Sequence, residues 1–138
     1  MINTVVHKKQ LMASLNKTIH FLHENVAWKR LFDFLIQENS YLKTRLSEVV
    51  DNATDKIFIA NAEHFQNEFL LKDEYIMDIG NDIKMQERNL HMAIMENRSP
   101  DEKIYKKQDK LRNEIASLEK NFSALRSEFN KYLLSIVS

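Results

Sequence analysis

Residues 99–137 read SPDEKIYKKQDKLRNEIASLEKNFSALRSEFNKYLLSIV, and the fold is decided in this stretch. Inside it Ile104, Gln108, Leu111, Ile115, Leu118, Phe122, Leu125, Phe129, Tyr132 and Ile136 follow one another at alternating intervals of four and three. Mostly apolar residues at that period lie along one stripe of an α-helix and form the seam of a coiled coil. The start of the helix is written just ahead of the seam. Ser99 is predicted as the N-cap, Pro100 fits the first helical position, and Glu102 stands where a capping box needs it.

The same alternation runs upstream through Phe58, Ala62, Phe65, Phe69, Lys72, Ile76, Ile79, Ile83, Gln86, Leu90 and Ala93, with Asn97 closing the helix beside the turn. A third seam reads Phe21, Asn25, Trp28, Phe32, Leu35, Asn39, Leu42, Leu46, Val49 and Ala53. The five-residue step from Ala53 to Phe58 breaks the phase and places a turn in Asp51–Asp55, where Thr54 is predicted to cap the next helix. Helices are therefore expected over about 17–52, 55–97 and 100–137.

Short turns make sequential helices antiparallel neighbours. Folding the chain about its two turns pairs Ile83 with Ile115, Phe69 with Phe129 and Leu46 with Ala62. Layers such as Trp28/Ile79/Leu118, Phe32/Ile76/Phe122 and Leu42/Phe65/Tyr132 follow. The expected fold is all-α, with three long helices in an antiparallel coiled-coil bundle forming one domain over 17–138. An additional N-terminal helical segment is expected in 1–16, as an extension that is helical or partly disordered. Each well-buried apolar side chain of such a seam contributes about 1.5–3 kcal/mol before entropy is subtracted. Asn25 and Asn39 are expected to fix register, Lys72 to reach outward past Leu35 and Leu125, and Gly80 to mark a kink or close approach.

Composition agrees with a helical chain. One Gly and one Pro in 138 residues leave little material for hairpins or phosphate loops, and the lack of Cys excludes disulfides, thiolate zinc sites and a thiol nucleophile. Twenty basic and twenty acidic side chains balance, which argues against a general polyanion binder. The run Lys103, Lys106, Lys107 and Lys110 is answered by Glu102 and by an acidic middle helix, so no nucleic-acid partner is expected. No long apolar run and no basic leader are visible, so no membrane role and a cytoplasmic location are expected.

Met12, Leu15, Ile19, Leu22 and Val26 form a second apolar stripe, displaced around the first helix from its seam. Exposed apolar stripes mark contacts, here with another copy of the chain, with another protein, or with the bundle itself. Chemistry is harder to find. Folding brings His20 opposite Glu87, four residues from His91, which makes a candidate metal cluster at one end of the bundle. No Glu-x-x-His occurs, and surface histidines at helical spacing explain the same residues. Glu74, Asp78 and Asp82 read as a solvated acidic face, and four Asn-x-Ser/Thr matches as chance in an Asn-rich chain. No nucleophile elbow, Walker A loop or dinucleotide fingerprint appears. No catalytic residue and no cofactor are expected.

The stretches Arg45-Leu46-Ser47-Glu48-Val49, Asn52-Ala53-Thr54-Asp55, Glu63-His64-Phe65-Gln66-Asn67-Glu68-Phe69 and Arg126-Ser127-Glu128-Phe129-Asn130 together span most of the chain from Trp28 onward. In these the chain resembles a group of small helical proteins of unknown function from Bacteroidetes-type bacteria. The resemblance implies a bacterial cytosolic origin and adds no catalytic residue. The expected function is that of a non-enzymatic helical scaffold or protein–protein interaction module, a homo-oligomer or the partner of another protein. A metal-binding bundle using His20, Glu87 and His91 is the alternative.

Overall fold

The computed structural model describes residues 2–137. They form three helices, α1 (Ile2–Val50), α2 (Lys56–Met95) and α3 (Glu102–Val137), and no strand occurs among the described residues. The long helices pack against one another. α1 runs unbroken from Ile2, so residues 2–16 continue the first helix instead of forming a separate segment. The physical reason is local: no Gly or Pro interrupts residues 2–50, and the Ala, Leu, Lys and Gln among residues 8–17 favour the helix. Gly80 likewise stays within an uninterrupted α2, with no positive φ.

The first turn lies where the phase of the seams breaks and the second beside Ser99 and Pro100, yet their caps differ from expectation. α3 is capped by Asp101, whose Oδ1 accepts the Ile104 N–H at 2.9 Å while its carbonyl accepts the Tyr105 N–H at 3.2 Å. Ser99 stands two residues outside the cap and pairs its hydroxyl with that of Ser14. A carboxylate at the N-cap also meets the positive end of the helix dipole, which a hydroxyl does not match. In the same way Asp55, and not Thr54, caps α2, accepting the Ile57 N–H at 2.9 Å. The end of α2 is a Schellman motif. Asn97 has φ 51°, Arg98 N–H donates to the Ala93 carbonyl, and Asn97 N–H donates to that of Ile94. Asn tolerates this left-handed backbone better than most residues other than Gly.

The chain divides into two compact units, one of residues 1–31 and 79–115, the other of 32–78 and 116–138. The first unit buries Phe21, Ile83, Leu90, Ala93, Leu111 and Ile115, together with the polar Thr18, Asn25, Gln86 and Gln108. The second buries Phe32, Leu42, Phe65, Phe69, Phe122 and Phe129. Its rings interlock. Phe69 meets Phe129 edge-on at 5.1 Å, as folding about the turn requires, and Phe65 lies 5.0 Å from Tyr132. Such pairs add about 0.5–1.5 kcal/mol beyond their buried area. Tyr132 and Phe58 at the end of the seams are half-buried, joined by the Tyr132 hydroxyl donating to the Phe58 carbonyl at 3.0 Å. Burial pushes the Tyr132 phenol above its ordinary range.

These caps are testable individually. Asp101→Ala and Asp55→Ala should each lower stability by about 1 kcal/mol, whereas Ser99→Ala and Thr54→Ala should lower it by less than half as much. Urea midpoints at constant m report the difference, and the reverse order would return the caps to Ser99 and Thr54.

Candidate interaction face and polar layer

α1 turns one row of side chains to its own core and leaves another outside. In the first unit the inward row holds Thr18, Phe21 and Asn25. The hydroxyls of Ser14 and Ser99 are 2.7 Å apart, which marks where α1 passes the turn between α2 and α3. Ahead of that point residues 5–13 are all exposed. Leu11, seven residues before the buried Thr18, continues the core row and is 46% exposed.

The stripe displaced from this row is largely open. Met12 is 63% exposed, and Leu15, Ile19 and Val26 are exposed as well. Leu22 differs, because it is half-buried against Phe21, Leu90 and Ile104 of its own unit. Val5 is exposed too, and Val5, Met12, Ile19 and Val26 recur every seven residues, the spacing of a coiled-coil position. That heptad row can be read from the sequence, but its first member lies ahead of the segment in which a helix was expected with its register.

Beneath the stripe lies a polar layer. Gln108, with no exposed surface, donates from Nε2 to Asn25 Oδ1 at 3.0 Å and accepts at Oε1 from Gln86 Nε2 at 3.1 Å. Gln86 also donates to the Ile104 carbonyl at 2.8 Å. Gln108 Nε2 further approaches Glu24 Oε1 at 3.3 Å, and Arg112 donates to both oxygens of Glu24 at 2.9 and 2.8 Å. One donor is left over: Asn25 Nδ2 is buried with no partner among the described residues, at a cost of about 1–3 kcal/mol. In the second unit Asn39 donates to the Phe69 carbonyl and to Asp73, which Lys43 also holds. Lys72 is buried and places its ammonium 5.9 Å from the Tyr75 ring centre. The seam positions Asn25, Asn39, Gln86 and Gln108 could be read from the sequence. Glu24, Arg112, Asp73 and Lys43 flank the seams, and no spacing rule singles them out.

Burial pushes the Glu24 carboxyl up, but the hydrogen bonds from Arg112 and Gln108 and the charge of Arg112 outweigh it, so the carboxyl falls below its ordinary range. The Arg112 guanidinium is raised by its hydrogen bond to Glu24 and stays charged. A carboxylate whose pKa is lower in the folded than in the unfolded chain stabilises the fold above the unfolded value. That contribution is lost as pH falls through the folded value.

The candidate metal residues are placed otherwise than in a single cluster. His20 approaches Glu24 at 3.9 Å and His91 approaches Glu87 at 4.0 Å, each pair being four residues apart on one helix, and Glu87 also binds Lys29. Among the described residues no group of three or more His, Asp or Glu side chains is arranged to hold a metal ion. A groove of about 480 Å³ beside the α2–α3 turn is lined by Asp82, Asn89, Arg98, Lys103 and Lys107, and its charges are partly spent on each other through the Lys107–Asp82 bond at 3.0 Å. No described helix is long and apolar enough to cross a membrane. No protein-family model, curated protein or solved structure matches the chain.

Arg112→Ala should raise the Glu24 pKa and move acid unfolding to higher pH, because the stabilising carboxylate is then lost earlier on acidification. Titration of the Glu24 carboxyl by NMR checks this, and an unchanged pKa would mean that Arg112 does not set the charge of the layer.

Proposed function

We propose that the chain is a non-enzymatic helical interaction module that docks a partner on the outward face of α1, through Met12, Leu15, Ile19 and Val26. The observation that carries this reading is the open heptad row on a helix whose inward row is already buried. A coiled-coil row without a mate is satisfied by another amphipathic helix, from a second copy of the chain or from another protein. Leu22 belongs to the edge of this face, since part of its surface is spent on its own unit.

The arrangement behind the face is an antiparallel coiled coil. Its support is the order of contacts within each unit: Ser14 with Ser99 and Lys29 with Glu87 in one, Phe65 with Tyr132 and Phe69 with Phe129 in the other. Between α2 and α3 of the second unit, residue numbers rise on one helix as they fall on its neighbour. A cytoplasmic location belongs to the same reading, and no described helix is long and apolar enough to cross a membrane. A metal site at His20, Glu87 and His91 has less support, because Glu87 is engaged by Lys29 and His20 by Glu24.

The triple variant Leu15→Glu, Ile19→Glu, Val26→Glu keeps Leu22 and therefore the core. Its far-ultraviolet circular dichroism should match the parent, while its solution mass across a concentration series should lose the association the parent shows. Equal masses for parent and variant at every concentration would reject this face as a site of self-association.

A further inference from the structure

The balanced net charge hides a division. The unit of residues 1–31 and 79–115 carries thirteen Lys and Arg against eight Asp and Glu, and the unit of 32–78 and 116–138 carries seven against twelve. One unit is thus +5 and the other −5.

Pairing within the units sharpens the difference. Each of the eight acids in the basic unit either faces a cation, as Glu24 faces Arg112 and Glu114 faces Lys110, or caps a helix, as Asp101 does. What the basic unit leaves unpaired is cationic. Lys8, Lys9 and Arg30 flank the open row of α1, and none has an ion-pair partner among the described residues. The acidic unit leaves carboxylates unpaired on α2. On α2 the exposed Leu71, Glu74, Tyr75 and Asp78 share one face by their spacing, and neither carboxylate pairs with a cation among the described residues.

We infer that the partner is a second copy of this chain, bound so that the basic unit of each copy lies on the acidic unit of the other. The inference rests on the docking reading above and adds the identity of the partner. An apolar row with cationic flanks meets an apolar pair with anionic flanks, so burial and charge favour the same mate. Equal and opposite surpluses on one chain let both contacts form at once under two-fold symmetry, which closes the assembly at two copies. A polyanion such as nucleic acid would also suit the basic unit, but it would be repelled by the acidic unit of the same chain.

Charge exchange tests this on the full-length protein. In 50 mM salt the parent should sediment at twice its 16.4 kDa. One molar salt, which shortens the screening length to about 3 Å, should raise the dimer Kd by about tenfold or more. K8E/K9E reverses the charge beside the open row, and E74K/D78K reverses it on the face of α2; each should be monomeric at concentrations where the parent is dimeric, with unchanged helicity. Mixed in equal amounts, the two variants should recover a dimer containing one of each. A parent that stays monomeric at low salt, or a mixture that stays monomeric, would overturn the inference. So would duplex DNA that binds a monomeric parent with steep salt dependence. If the mixture fails while the Leu15, Ile19, Val26 variant still abolishes association, the docking face stands and the basic-on-acidic pairing falls. If the mixed dimer is recovered while that triple variant associates like the parent, the pairing of units stands and the docking face falls.

Discussion

Gln108 is the point on which the first unit turns. Its amide has no contact with solvent and joins all three helices, donating a hydrogen bond to Asn25 on α1 and accepting one from Gln86 on α2. Sliding any helix by a heptad would keep apolar residues facing apolar residues, so the oily part of the seam specifies a face more strongly than a register. It would also strand these buried amides, each at about 1–3 kcal/mol. The layer therefore penalises slippage even though one of its own donors, Asn25 Nδ2, has no partner among the described residues. Buried polar residues between packed helices fix alignment at some cost in stability, and this layer is built of such residues.

Fixing that register also fixes what the first unit exposes. With Gln108 opposite Asn25, Ser14 reaches Ser99 and the rest of α1 runs on beyond the α2–α3 turn. The exposure of residues 5–13 follows from α1 outrunning the α2–α3 turn, whereas Ile19 and Val26 are open because they stand off the inward row of Thr18, Phe21 and Asn25. The second unit is held differently. Rings interlock at Phe65, Phe69, Phe129 and Tyr132, and Asn39 with Asp73 and Lys43 supplies a polar tie. Aromatic burial is bulky and shape-specific, so fewer polar contacts suffice to align it.

Much of this was legible because a heptad seam is a one-dimensional code. Every seam residue from Phe21 to Leu46, apart from the half-buried Trp28, is buried as the spacing required, and Phe69 meets Phe129 where folding about the turn placed it. The caps were not legible, because Ser99 and Thr54 have the chemistry of an N-cap but Asp101 and Asp55 sit close by with stronger claims. For residues 1–16 the sequence left helix and partial disorder both open, because a segment without breakers and without a core row to anchor it fits either; residues 2–16 are helical. Glu24 and Arg112 were missed because ion pairs across helices depend on side-chain reach, which spacing alone does not encode. Opposite charge in the two units was invisible to any count taken helix by helix, since each unit draws on all three.

The natural absence of cysteine permits a direct test of the alignment. Ser14→Cys with Ser99→Cys places two thiols where the hydroxyls now lie 2.7 Å apart. Mild oxidation of the dilute protein should give a rapid intramolecular disulfide, seen as faster migration on a non-reducing gel, with helicity unchanged. A pair that stays reduced under conditions that oxidise exposed thiols would contradict the register, and with it the open row on which the functional reading stands.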